Sequence, residues 1–542
     1  MHVETVLLLV LAAVAVLVGV RWVATRTGLP AAALLTLIGI LYAVLPGPNI
    51  TLSPDLVLTL VLPPLLYSAA LDSSLGAIRR NLRTVVSLSV LLVLATALLI
   101  GIGFSMFVAG ATLAAGIALG AAVAPPDPVA ALAIGRRAGL PPRLVTLIQG
   151  EGLLNDATAL TILTVAIAAA TGGDFSAPGA LAEFVLAAVG GVAAGLLVAF
   201  AVRPLRRLRS DPLSSNAISL ATPFVAYLLG EAVHVSGVLA VVVAGLVIGH
   251  HNPSWASGAS RLQTNAVWRL VDFLLEGFVF LLIGQQLPAV IDGLDRYETS
   301  VIATAAGITV GVVLLLRPLW LWLTEHLPQS LHTRLGGEEL DEETGRGPGG
   351  RTRLSGTRGV ISLAAIFALP LTVDSGAPFP DRELLLFCAF LAVLVTLVGQ
   401  GLTFGPLVRA LGLRADEADE ARLRNQARMA AVESALELLE DEAHEEHDAA
   451  EDQAIGALRS QLNARLARYR TRLELLENAE AGEIPMSPQY EANLRLRRAV
   501  IGAQREELLR WRDVGRLPDE SLRILQRELD HEEGLLPARA PS

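Results

Sequence analysis

The chain has 542 residues, 53% of them hydrophobic and 17% charged, with a formal net charge of -10. A soluble globular chain carries about 25% charged residues, whereas here charge is sparse up to about Arg409 and dense beyond it. That division excludes a single soluble domain, and a negative charge residing mostly in the last part gives no footing for nucleic-acid binding.

All 42 basic residues are arginine, which excludes any mechanism needing a lysine, such as a Schiff base. The single cysteine, Cys388, lies in an apolar run. It forms no internal disulfide or thiolate metal site and reads as a small buried hydrophobe.

In chain order, the first apolar run, Val3 to Val20, lacks a basic n-region and a small-residue cleavage site, so it is a retained span rather than a signal peptide. A spanning helix needs about 20 apolar residues. On that basis spans fall near 3–20, 29–46, 55–72, 84–109, 112–134, 144–170, 178–202, 216–233, 236–250, 266–290, 298–323, 356–373 and 384–409. The expected fold class is therefore an all-α polytopic membrane protein of about thirteen helices, covering residues 1–410, followed by a helical tail over 411–542.

Arginine clusters fall on alternate loops: Arg21 and Arg26; Arg79, Arg80 and Arg83; Arg136, Arg137 and Arg143; Arg203, Arg206, Arg207 and Arg209; Arg261; Arg351 and Arg353. The intervening loops, such as PGPNITLSPD and DGLDRYETS, are acidic or rich in Gly and Pro. Positive charge marks the cytoplasmic side, which places the N-terminus outside and the tail inside the cell membrane. An odd span count agrees independently.

The segment His332 to Gly356 is charged and glycine-rich and is expected to be a cytoplasmic loop. Beyond Leu413, apolar residues recur at three- and four-residue spacing without proline, predicting one long or two paired amphipathic helices. EIPMSP ends that pattern, and further helices are expected near Tyr490 to Trp511 and Pro518 to Glu533. The acidic run around His444 and His447 reads as a solvated face.

Two stretches place acids at membrane depth: AAVAPPDPVAAL, Ala121 to Leu132, and QGEGLLNDATAL, Gln149 to Leu160. Carboxylates there are expensive to desolvate and mark an ion or proton pathway by default. Asp127 sits among Pro125, Pro126 and Pro128, which remove backbone donors and preclude a regular helix. Such a break survives at membrane depth only when buried in protein or lining a wet cavity. The freed carbonyls are then available to a cation.

Asn155 and Asp156 lie in the middle of the next span. The charged form of a buried aspartate is tolerable only when a cation or hydrogen-bond donors compensate it, so Asp156 can alternate between a proton and a metal cation. Asn155 can orient helix ends without adding charge. Glu151 is one turn before Asn155 on the same face, and Arg358, in SGTRGVISLAAIFALP, is its candidate ion-pair partner, a structural role. Glu276 is a further candidate ionisable group. Glu231 and His234 are expected near the outer boundary, and Arg203 and Arg317 near the inner one, where long side chains reach water.

PPDPVA, then E-x-L-L-N-D at Glu151 to Asp156, then TRGVISLA in a late span resemble the cation:proton antiporter-1 family, which includes sodium/proton exchangers. LPPLLYSAALD, Leu62 to Asp72, is similar to that family's third-span signature, and LPDESLRILQRELDHEE to the tails of its bacterial members. The resemblance covers roughly residues 1–410. It implies inverted repeats, two broken crossing helices, a homodimer, and an elevator-like motion of a core against a dimerisation region.

By motif match, Asp156 is implied as the carboxylate that binds both cation and proton, Asn155 as its neighbour, and Asp127 as the unwound-helix carboxylate. Glu151 and Arg358 are implied as the buried stabilising pair. Asn155, where electrogenic relatives carry a second aspartate, implies electroneutral exchange.

Two departures bear on selectivity. Gly152 and Pro126 stand where many members carry serine and threonine, so two hydroxyl oxygens are missing from the neighbourhood of a hard cation. Sodium is favoured, with potassium or lithium as alternatives. The expected activity is thus secondary antiport of a monovalent cation against H⁺, with no cofactor, and with membrane lipid and a second copy of the chain as partners. A cation channel with a carboxylate-lined pore and a potassium-selective antiporter are the alternatives. An intramembrane enzyme is disfavoured because neither GxGD nor HExxH occurs.

Overall fold

The computed structural model describes residues 3–27, 29–45, 57–80, 82–126, 142–171, 177–208, 211–326, 365–367, 369–373, 375–410, 417–444, 449–477, 488–534 and 536. The chain separates into two compact units, Met1–Leu413 and Arg414–Ser542.

The first unit is helical among its described residues, with one isolated β-bridge between Thr372 and Pro378. It opens with α1 (Val3–Thr27) and α2 (Ala31–Val44). A π-helical turn over Val57–Val61 then leads into α3 (Leu62–Leu71) and the short α4 (Leu75–Arg80). α5 (Leu82–Val86) and α6 (Leu92–Phe107) are joined by a second π-helical turn, Ser87–Leu91. Then come α7 (Leu113–Val123), α8 (Pro142–Thr171), α9 (Ala177–Leu208), α10 (Pro212–Ala232), α11 (Gly237–Trp255), α12 (Gly258–Asp292), α13 (Thr299–His326) and α14 (Arg382–Ala410).

Among the described residues, eight helices are long and apolar enough to cross a membrane, and α2, α3 and α7 add shorter apolar helices. Most of the span expected over 356–373 lies outside the described residues. Large apolar side chains such as Leu8, Leu186, Val189 and Leu315 are exposed on this unit, as they must be where the solvent is lipid rather than water.

In lipid, helix association gains little from hydrophobic burial and depends on close backbone approach at small residues. Gly39 of α2 and Gly284 of α12 meet in this way. A β-carbon on Gly284 would lie 2.2 Å from the Thr36 carbonyl oxygen, and one on Gly39 2.2 Å from that of Leu281.

α8 occupies the middle of the unit. It packs against α3, α4, α5, both sides of the Ser87–Leu91 turn, α7, α9 and α11. α7 stops at Val123 with Ala124 as its cap, still at helical dihedrals, and Pro125 and Pro126 continue as buried backbone outside the helix, where the missing N–H groups break the ladder.

The second unit contains α15 (Glu417–Glu442), α16 (Ala449–Glu477), α17 (Pro488–Asp513) and α18 (Asp519–Gly534). α15 and α16 pair: Arg422 donates to the Leu476 carbonyl and Asn425 to that of Tyr469. Arg505 on α17 bridges Asp530 and Glu533 on α18.

Candidate functional site

Glu151, Asn155 and Asp156 all lie on α8 and are buried, at 2%, 0% and 6% relative exposure. Asp127 and Arg358 lie outside the described residues. The helix around the three spends its hydroxyls on itself. Thr158 donates to the Leu154 carbonyl at 2.9 Å, Thr161 to Ala157 at 2.7 Å and Thr164 to Leu160 at 2.9 Å. Polar capacity that remains unspent on α8 therefore stands out.

The Glu151 carboxylate is clamped by Arg317 of α13. Nη1 donates to Oε1 at 2.5 Å and Nη2 to Oε2 at 2.8 Å, a bidentate fork between groups of 5% and 2% exposure. The sequence points to Arg358 as the partner, a residue outside the described ones, and puts Arg317 at the water boundary, which the structure corrects. Arg317 is buried, and the planar guanidinium matches the carboxylate edge to edge, the geometry in which a charge pair best survives desolvation.

The signal for Arg317 was an arginine inside the apolar run VVLLLRPLW with no polar neighbour to share it. Its proximity to the end of that run favoured a boundary position, and spacing along one chain could not reveal that α13 passes α8.

The Ser87–Leu91 π turn seats this pair. Ser89, fully buried, donates its hydroxyl to the Glu151 carbonyl at 3.1 Å, and Trp320, one turn after Arg317, donates its indole N–H to the Ser87 hydroxyl at 3.3 Å. A π-helical turn exposes backbone and side chains that a regular helix would hide, and such turns concentrate at functional places.

Asn155 is the opposite case. Its Oδ1 and Nδ2 are both buried, and neither has a hydrogen-bond partner among the described residues. Leaving a buried amide unsatisfied costs roughly 1–3 kcal/mol per group, so retaining asparagine here rather than leucine needs a reason beyond packing. Next to it in the chain stands Asp156, and α7, which ends just before Pro125 and Pro126, packs on the same helix. Carboxylate and amide oxygens are the ligand types a hard monovalent cation takes. Gly152 and Pro126 are both buried here and supply no side-chain oxygen.

Residues 11–410 match the model of the family described as "Sodium/hydrogen exchanger, transmembrane". The chain belongs to the sodium/hydrogen exchanger family.

Within that family it is 34% identical, over 94% of its length and 92% of the relative's, to a protein of Mycobacterium tuberculosis named as an uncharacterized Na(+)/H(+) exchanger. It is 28% identical to the sodium, potassium, lithium and rubidium/H(+) antiporter of Bacillus subtilis, over 90% of this chain and 72% of that one. Its fold is similar to that of the sodium proton antiporter MjNhaP1 from Methanocaldococcus jannaschii. That likeness has a TM-score of 0.59 at 19% identity and covers 76% of this chain and 99% of that one.

Proposed function

We propose that this exchanger-family protein is a secondary antiporter that trades one monovalent cation for one proton at Asp156. The observation that carries the proposal is the fully buried Asn155 amide, both ends without a partner among the described residues, next to the buried Asp156 carboxyl. An amide oxygen held in reserve beside an acid is a cation ligand waiting for its ion. Asp127, expected at the break after α7, would complete the oxygen set.

Exchange then follows from exclusion. The Asp156 carboxylate is stable at depth with either a proton or a cation, but not both, so loading one releases the other. Alternating exposure of that single group to the two sides couples the fluxes. Glu151 does not join the turnover because Arg317 already neutralises it. With one exchanging carboxylate, H⁺ and M⁺ carry the same charge across, which supports electroneutral one-for-one exchange.

Sodium is the favoured cation. Gly152 and Pro126 remove two hydroxyls from the neighbourhood, so backbone carbonyls or water supply the remaining oxygens, and potassium and lithium are the competing cargo. The protein is proposed to work as a homodimer in the cell membrane, N-terminus outside and the α15–α18 unit cytoplasmic.

The test is exchange by the purified protein in liposomes with sodium, potassium and lithium in turn, reading proton and charge movement together. Cation-driven proton flux without net charge movement is expected. Ion conduction that needs no proton counterflow would instead identify the channel alternative and overturn antiport.

A further inference from the structure

A second acid is set into the membrane unit away from Asp156. Asp272 lies on α12, fourteen residues past Gly258 and so about 20 Å along the helix from its start. Ser68 of α3 donates its hydroxyl to Asp272 Oδ2 at 2.5 Å. The other oxygen, Oδ1, is buried with no hydrogen-bond partner among the described residues. α3 touches both α12 and α8, the helix that carries Asp156.

The surroundings of Asp272 differ from those of Glu151 in the respect that sets protonation. Glu151 has Arg317; Asp272 forms no ion pair among the described residues. The charged group that faces it from the end of α3 is Asp72, the residue after the helix and of the same sign. On α12 itself Arg269 and Glu276 flank it in sequence, and Arg21 of α1 is engaged over the ring of the adjacent Phe273. α2 carries no charged residue, and the residues of α10 that bond to α12 are uncharged.

Those α10 contacts form a polar ladder along one face of α12. Thr264 donates to Asn216 at 2.6 Å, Trp268 donates to Ser219 at 3.0 Å, and Asp272 then meets Ser68. The rungs are four residues apart, about 6 Å each, and they lead inward from the end where α10 and α12 both begin. Tyr67, fully buried and 5.3 Å from Trp268 ring to ring, places its hydroxyl beside Ser219 and Thr222 without an ordinary hydrogen bond to either. The interior here is polar up to the acid.

We propose that Asp272 is a second proton-binding site of the membrane unit, occupied by a proton at neutral pH and not used by the transported cation. An ionised carboxylate would leave Oδ1 charged, buried and without a donor, whereas in the neutral acid that oxygen is an ordinary carbonyl, far cheaper to leave alone. Ser68 serves both states, because a hydroxyl donates to a carboxylate and accepts from a carboxylic acid. Among the described residues Ser68 is the one side chain hydrogen-bonded to Asp272, and two such groups offer too few oxygens to hold a desolvated alkali cation. The inference concerns Asp272 alone and stands or falls independently of exchange at Asp156.

Infrared difference spectroscopy of the purified full-length protein tests it. In an Asp156→Asn background, which removes that acid from the spectrum, a neutral carboxylic-acid C=O stretch that shifts on deuteration is expected at neutral pH. It should vanish in Asp156→Asn/Asp272→Asn, persist in saturating sodium, potassium or lithium, and move in frequency in Ser68→Ala, where its hydrogen bond is lost. A spectrum unchanged by Asp272→Asn, or a Ser68→Ala band at the original frequency, would overturn the site. Loss of the Asp272 band on adding an alkali cation would overturn it too, by making Asp272 a cation ligand.

Discussion

The pair between Glu151 and Arg317 allows the sharpest structural test. Replacing Arg317 by methionine keeps an unbranched apolar stem and removes the guanidinium that supplies both donors. The structure shows what is lost: two charge-assisted hydrogen bonds of 2.5 and 2.8 Å to a carboxylate only 2% exposed. Both groups are buried, so the stranded charge sets the cost. Removing one partner of a buried pair destabilises by about 3–5 kcal/mol.

Glu151→Gln should cost a comparable amount by stranding the guanidinium. The double variant, Glu151→Gln/Arg317→Met, should recover a large part of the loss, because a buried pair replaced on both sides is often close to neutral. The assay is unfolding of the purified full-length protein in detergent, followed by tryptophan fluorescence for the wild type, both single variants and the double. Arg358→Met provides the comparison. With both Glu151 oxygens taken by Arg317, its effect should add to that of Glu151→Gln within about 0.5 kcal/mol. Strict additivity between Glu151 and Arg317, or a strong coupling of Glu151 to Arg358 in its place, would refute the reasoning.

Three further outcomes are expected. Asn155→Leu removes two buried polar groups that have no partner among the described residues, so its melting temperature should equal or exceed the wild type's while exchange in liposomes falls by at least about tenfold; a variant both unstable and inactive would point to a structural amide. Gly284→Ala places a β-carbon against the Thr36 carbonyl and should cost about 1–3 kcal/mol through overpacking of α2 on α12; an unchanged unfolding midpoint would contradict that close approach. A chain ended after Leu413, where the first compact unit ends, should insert and exchange ions with wild-type turnover but an altered pH profile, and loss of all exchange in a properly inserted truncation would argue against a regulatory tail.

Much of the architecture was legible because its determinants are local. Apolar run length sets a spanning helix, and consecutive prolines stop one, so α8 at Pro142–Thr171 and the end of α7 at Val123 fall where hydropathy and Pro125–Pro126 place them. α15 and α16 appear as two paired helices, one of the two arrangements their periodicity allowed. The acids of α8 were visible for the same reason: an aspartate in an apolar run needs no alignment to be noticed.

What escaped was determined by which helix passes which. Arg317 and Glu151 are 166 residues apart in the chain, and only the crossing of α13 by α8 pairs them. Arg206 belongs to an arginine cluster that reads as a loop, yet it is buried at 5% exposure with Nη1 on Asn252 of α11, because α9 continues to Leu208. Glu276 lies deeper in the apolar run of α12 than Asp272 one turn earlier, and the environment of Asp272 is set by Ser68, 204 residues away. Nor does a sequence mark a π turn: Ser87 and Ser89 read as ordinary helix, though together they brace Glu151 and Trp320.

The central claim is that one buried acid hosts H⁺ and an alkali cation by turns. The most direct measurement is cation-driven proton flux in liposomes containing Asp156→Asn protein, alongside a melting curve and the oligomeric state of the same preparation. Flux at the background level of protein-free liposomes, with folding and assembly intact, is the expected result. Sodium- or potassium-driven proton movement at the wild-type rate in that variant would contradict it.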